Sequence, residues 1–214
     1  MNRTLQLLLV SDLFFITGFG LIDPVLAIFV KDRVADGTIF AAGFAIALFL
    51  LTKAVVQLPF ARWIENHSQS ATRRVQFLIL GGIFIVAVPL IYLQATDVRH
   101  VFLAQIIHGI GSGFAFPTWM SLWNAHLDKN KETSEWITYS SMLGIFTALA
   151  GFGGAWLAQL YGFRSTFVLV TALVLVGFLL LLGVEKKEVR STMSSRRQAL
   201  LHYHVRRKSE WQRR

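Results

Sequence analysis

Four ionisable side chains stand inside long apolar runs: Asp12, Asp23, Lys53 and His108. A charge held in such surroundings is costly to keep, so each marks a place where chemistry could be done. Two carboxylates, an ammonium and an imidazole can exchange protons and hold ions or polar solutes. Asp12 and Asp23 are eleven residues apart. On a helix that is close to three turns, so both face one way, about 16 Å apart along the axis. Gln105 stands one turn before His108 and can only hydrogen-bond, since its amide does not titrate. For Asp12 a second reading stands beside the functional one, a carboxylate close enough to one membrane surface to be hydrated. For His108 the second reading is a hydrogen-bonded interior histidine.

The elements that must position these groups follow from hydropathy. The chain has 214 residues, a mean hydropathy of +0.54 and 15% charged residues, against about 25% in ordinary soluble domains. A crossing of the hydrocarbon core needs about 20 mostly apolar residues. Six segments meet this, at 5–30, 39–63, 76–95, 101–125, 136–161 and 164–184. Only helices and closed barrels satisfy their backbone in lipid, and segments this long are helices. The fold expected is an all-α integral membrane bundle of six transmembrane helices over residues 1–184. Residues 185–214 form a basic cytoplasmic tail. The first segment is not a cleavable signal peptide, because its apolar run is too long and Asp12 interrupts it.

The Lys and Arg bias sets orientation. The tail carries ten Lys and Arg against three Glu, a net +7 of the chain's +9. Both termini are therefore expected in the cytoplasm, in a cell (inner) membrane. Because the excess charge belongs to a segment beside the membrane, anionic lipid headgroups are its expected partner and nucleic acid is not. Leu200, Tyr203 and Trp211 could give the tail an apolar side for an interfacial helix. The absence of cysteine, of a metal-ligand cluster and of a phosphate-binding loop leaves no expected cofactor or metal and no enzymatic centre.

Two stretches repeat. Gly18-Phe-Gly20-Leu-Ile-Asp23-Pro24 and Gly111-Ser-Gly113-Phe-Ala-Phe116-Pro117 both read G-x-G-x-x-x-P. Proline clashes with the carbonyl four residues back, and glycine at that position relieves the crowding. Gly20 with Pro24, and Gly113 with Pro117, are thus expected hinges. One span runs outward and the other inward, so the repeat is inverted, as in transporters built from three-plus-three units. In the fifth span Gly144, Ala148, Gly151, Ala155 and Ala158 form a stripe of small residues, expected to pack tightly against a neighbouring helix. Trp119 and Trp123 sit one turn apart, as interfacial anchors or as platforms for an aromatic solute.

Three stretches resemble a half of the major facilitator superfamily of transporters, its N-terminal half. LPFARWIENHSQSATRRVQ is similar to the family's loop between the second and third spans, with Glu65 at the acidic position and Arg73 and Arg74 at the basic pair. QIIHGIGSG is similar to its fourth-span glycine element, with Gln105 where the family usually has Arg. LAGFGGAWLAQLYGFRSTF is similar to its antiporter-type fifth span, carrying Gly151, Gly153 and Gly154. The resemblance implies two inverted three-helix repeats and spans 1 and 4 beside a central cavity. It also implies secondary transport of a small solute, with a proton as the expected coupling ion.

Family members have twelve spans, so six imply either a half-size protein or part of a longer one. A single bundle cannot rock against itself. The expected partner is a second half-transporter, supplied by a parallel homodimer or by another chain. Depth along the spans suggests two pairs. Asp12 and Lys53 lie about 10 and 13 Å from the inner ends of their spans, and Asp23 and His108 each lie about 10 Å from the outer ends. In this reading Asp12 and Lys53 form an ion pair, Asp23 carries the coupling proton, and His108 with Gln105 stabilises or relays it. The competing class is a non-transporting membrane anchor or scaffold with a lipid- or protein-binding tail. Such an anchor gives no reason for the four buried charges.

Overall fold

The structure is a computed structural model; it describes residues 2–67 and 70–211, with side-chain surroundings described up to residue 184 except at His67 and Ala71. The described chain is helical throughout: α1 (Arg3–Ile22), α2 (Leu26–Arg33), α3 (Ile39–His67), α4 (Ala71–Leu93), α5 (Val98–His126) and α6 (Glu132–Trp211). Five of these helices are long and apolar enough to cross a membrane, the last over the 53 residues Glu132–Val184. A straight helix of that length would run about 80 Å, far beyond a ~30 Å hydrocarbon core. It does not run straight. Gly162, at φ 78° and ψ 168°, leaves the helical region. Before it, Tyr139 meets Asp12 and Ala150 meets Gly20, so this limb runs parallel to α1. Beyond it, Val174 lies at Gly18 and Gly177 at Ser11, so the second limb runs antiparallel. The expected spans 136–161 and 164–184 are the two limbs of α6. The helix continues past Val184 to Trp211; the expected apolar side of the tail falls outside the described side chains.

Pro24 does more than bend the first span. α1 stops at Ile22, Asp23–Val25 form a turn, and α2 begins at Leu26. The turn is closed by the Asp23 amide donating to the Phe19 carbonyl and the Val25 amide to that of Ile22. The expected single span 5–30 is thus two helices. Pro117, in the matching stretch, lies inside the unbroken α5. Gly113 is accordingly a packing position and not a hinge: a Cβ there would stand 2.7 Å from Val56 Cβ. Gly20 packs the same way, against Ala150. Two like sequences therefore take different shapes.

Both ends of the bundle are clasped. Asn2 caps α1, its Oδ1 accepting from the Thr4 and Leu5 amides at 2.9 and 3.0 Å, while its Nδ2 donates to the His126 carbonyl at the end of α5. At the other end the Ala35 amide donates to Thr96, and the Val98 amide to Ala35, joining two interhelical loops. Apolar side chains pack in two layers, one around Phe29, Tyr92 and Phe167 and the other around Leu8, Leu122 and Trp123.

The small-residue stripe of the fifth span takes a different place from the one expected. Gly144, Ala148 and Ala155 are exposed, and a Cβ added at Gly144 or Gly151 would meet nothing. Ala150 and Gly154, on the adjoining face, make the close approach to Gly20 and Leu21 of α1. Four-residue spacing exists on both faces, and only the partner helix selects one. α3 is the most peripheral span, with 17% of its most apolar window buried against 50% for α1. Its exposed Phe40, Leu51 and Val55 suit a hydrocarbon surround or a packed neighbour.

Candidate functional site

Five helices present residues at three- and four-residue steps towards one cavity of about 430 Å³. α1 offers Asp12, Ile16, Phe19 and Asp23; α3 offers Phe49 and Lys53; α4 offers Leu78, Gly82 and Ile85; α5 offers His108, Ser112, Phe116 and Trp119; α6 offers Tyr139 and Leu143. All four ionisable residues singled out by the sequence therefore line a single space. Glycine makes this possible. A Cβ at Gly109 would stand 2.6 Å from Thr52 Cβ and 2.8 Å from the Phe49 carbonyl oxygen. Any larger residue would push α5 off α3 and His108 away from Phe49.

Within the cavity the groups are not paired as expected. Asp12 Oδ2 accepts a hydrogen bond from the Tyr139 hydroxyl at 2.8 Å. Lys53 forms no ion pair with it. Its Nζ lies 4.8 Å from the centroid of the Phe116 ring and 5.9 Å from that of Phe49. Matching depth placed Asp12 and Lys53 at one level, but the azimuth of each helix sends the two side chains to different neighbours. Nor does His108 reach Asp23. Its imidazole is held between Phe19, at 4.2 Å and 18°, and Phe49, at 4.3 Å and 26°. Stacking on both faces fixes the ring plane, and Asp23 lies one turn beyond Phe19 at the C-terminal end of α1. Gln105 is buried but does not line the cavity, and its Oε1 has no hydrogen-bond partner among the described residues. It therefore does not share the cavity with His108 as the expected relay requires.

Beside Trp119 and Tyr139 of the lining lies an aromatic cluster. Trp119 stacks on Trp123 at 5.0 Å and 18°, and Trp136 and Tyr139 pack against both. Trp119 and Trp123 thus form part of an internal cluster and are not simple surface anchors. Glu65 lies exposed near the end of α3, and Arg73 is exposed and Arg74 half-buried in the first turn of α4. That cluster lies away from the cavity lining.

Tyr139, Phe19, Phe49 and Phe116 are among the lining residues the sequence reading passed over. Tyr139 carried a usable signal, because a hydroxyl in an apolar span needs an acceptor. The phenylalanines carried none that distinguishes them among the chain's 18.

Apolar helices of crossing length, a reversal inside α6 and a charge-lined interhelical cavity define a multi-pass membrane protein. A sequence profile of the Major Facilitator Superfamily matches residues 8–211, and the chain belongs to that superfamily. Among solved structures it is similar to a variant of the peptide transporter POT bound to sulfate, with a TM-score of 0.71 and 14% identity over 96% of this chain and 45% of that one. The same transporter with alafosfalin gives 0.70 and 14%, over 95% and 46%. The POT family transporter PepTSo gives 0.58 and 14%, over 87% and 38%. At this identity the likeness is one of fold. The chain spans less than half the length of these transporters. No curated protein matches it.

Proposed function

We propose that the chain is one six-span half of a secondary active transporter, and that the cavity is where a small solute and a coupling proton meet. The observation that carries this is the convergence of Asp12, Asp23, Lys53 and His108 on one space between the spans. A membrane anchor would gain nothing from four such groups gathered there. The working unit contains a second bundle of like orientation, either a second copy of this chain or another half. The solved relatives' twofold greater length and the broad apolar face of α3 support this. Each half is read as two inverted three-span repeats, with both termini in the cytoplasm of a cell (inner) membrane. An antiporter-like exchange fits the fifth-span resemblance.

Among the carboxylates, Asp12 is the better placed to carry the proton. Its hydrogen-bond partner is the neutral Tyr139 hydroxyl, and no cation lies within ion-pair distance among the described residues. Gaining a proton there breaks no salt bridge. Asp23, at the turn before Pro24 and exposed to the cavity mouth, serves as the outer entry point. The test is proton flux into proteoliposomes under an imposed pH gradient, after the mass of the particle in mild detergent has been measured. The parent is expected to be larger than one chain and to pass protons, and Asp12→Asn to lose most of that flux. Unchanged flux in both Asp12→Asn and Asp23→Asn would remove the coupling role. A strictly single-chain particle that still transports would remove the second bundle.

A further inference from the structure

Two hydrogen-bond donors, the half-buried Lys53 ammonium and the buried Trp119 indole, border the cavity. Lys53 Nζ faces the rings of Phe116 and Phe49. Ring faces offset part of a cation's charge, by roughly 0.5–2 kcal/mol, but they do not replace the acceptors that its three N–H groups would find in water. Both carboxylates of the cavity are otherwise placed. Asp12 accepts from Tyr139, and Asp23 lies at the C-terminal end of α1, at the turn before Pro24. One turn beyond Phe116, Trp119 is 6% exposed and lines the same space, and its Nε1–H has no hydrogen-bond partner. A buried donor without an acceptor is costly, and a ligand that supplies the acceptor removes the cost.

Around these donors the surface is aromatic and aliphatic: Phe15, Ile16, Phe19, Phe49, Phe116 and Leu143. An organic cation would have to share the Phe116 face with the like charge of Lys53. A neutral solute would leave the Lys53 ammonium against ring faces with no charged acceptor beside it. An acid with a compact ring meets both demands. Its carboxylate takes the Lys53 ammonium and the Trp119 indole N–H, and its ring lies on the phenylalanines.

We propose that the solute is a compact organic anion with an aromatic or apolar body, its acidic group seated between Lys53 and Trp119. The proposal rests on the reading of this cavity as the solute site and names the class of solute. No covalent step is involved.

The test compares three probes of one shape and different charge. Phenylacetate, phenylacetamide and phenethylamine are titrated against the full chain in detergent micelles, with binding read from the intrinsic tryptophan fluorescence. Phenylacetate is expected to bind saturably and at least tenfold more tightly than either of the others. Lys53→Met should abolish that preference, Lys53→Arg should keep most of it, and Trp119→Phe should weaken phenylacetate by several-fold. An unchanged size-exclusion profile of each variant shows that the fold is intact, and retention by Lys53→Arg shows that the charge is what matters. If phenethylamine binds as tightly as phenylacetate, or if Lys53→Met keeps the preference, the anion proposal is overturned while the cavity remains a solute site. If no probe binds saturably, the proposal and the solute site fall together.

Discussion

Gly81 of α4 and Gly111 of α5 meet backbone to backbone, and adding one methyl group tests that seam. A Cβ at Gly81 would stand 2.6 Å from the Gly111 carbonyl oxygen, 2.8 Å from the Ala115 nitrogen and 2.9 Å from the Ala115 Cβ. Comfortable separations begin near 3.5 Å. Two of the three obstacles are backbone atoms, which cannot rotate aside, so in Gly81→Ala the helices must part by roughly 0.8 Å. A gap of that size forfeits a quarter to a half of each contact's attraction along the seam. Overpacking of this kind costs about 1–3 kcal/mol. Alanine's better helix propensity returns up to about 1 kcal/mol, and Gly183→Ala isolates that gain, since a Cβ there meets nothing. The difference between the two variants should therefore be about 1–3 kcal/mol. At about 2–4 °C per kcal/mol for a chain of this size, Gly81→Ala should melt roughly 2–12 °C below Gly183→Ala. The assay is size-exclusion recovery after a temperature ramp in detergent. Equal midpoints would refute the claim that this seam is held by backbone proximity.

Tyr139→Phe should destabilise the chain by about 1.5–3 kcal/mol, because it strips the Asp12 carboxylate of its hydrogen bond. The same change in an Asp12→Asn background should cost at least 0.5 kcal/mol less, and additive losses in the thermal assay would deny the contact. Gly162→Ala should cost about 1–3 kcal/mol although its Cβ meets no atom, because φ 78° with ψ 168° is a region that only glycine occupies readily. A midpoint unchanged from the parent would show that the reversal in α6 does not depend on that conformation. A reporter active only inside the cytoplasm, fused after Arg214, should be active, and activity of its counterpart that works only outside would reverse the topology.

Sequence alone was enough to set the apolar segments, the family and which ionisable residues stand inside those segments. Each depends on composition and spacing along one chain: a charge in an apolar run is costly wherever that run packs, and twenty apolar residues span lipid in any arrangement. It also put Asp12 and Asp23 on one face of α1, since helical periodicity is a local property. What periodicity cannot supply is the rotation of one helix against another. Lys53 and Asp12 were matched in depth, yet the azimuth of α3 turns Lys53 to Phe116 and that of α6 brings Tyr139 to Asp12. The same freedom moved the packed face of the fifth span from Gly151 to Ala150 and Gly154. It placed His108 between two phenylalanines and away from Asp23. Pro24 and Pro117, alike in their sequence surroundings, part ways for a related reason. Pro117 is buried in a long helix that packs on its neighbours through Gly109, Gly111 and Gly113, so the helix holds. Pro24 stands exposed at the end of α1, where a turn is hydrogen-bonded and the chain can start a new helix at little cost.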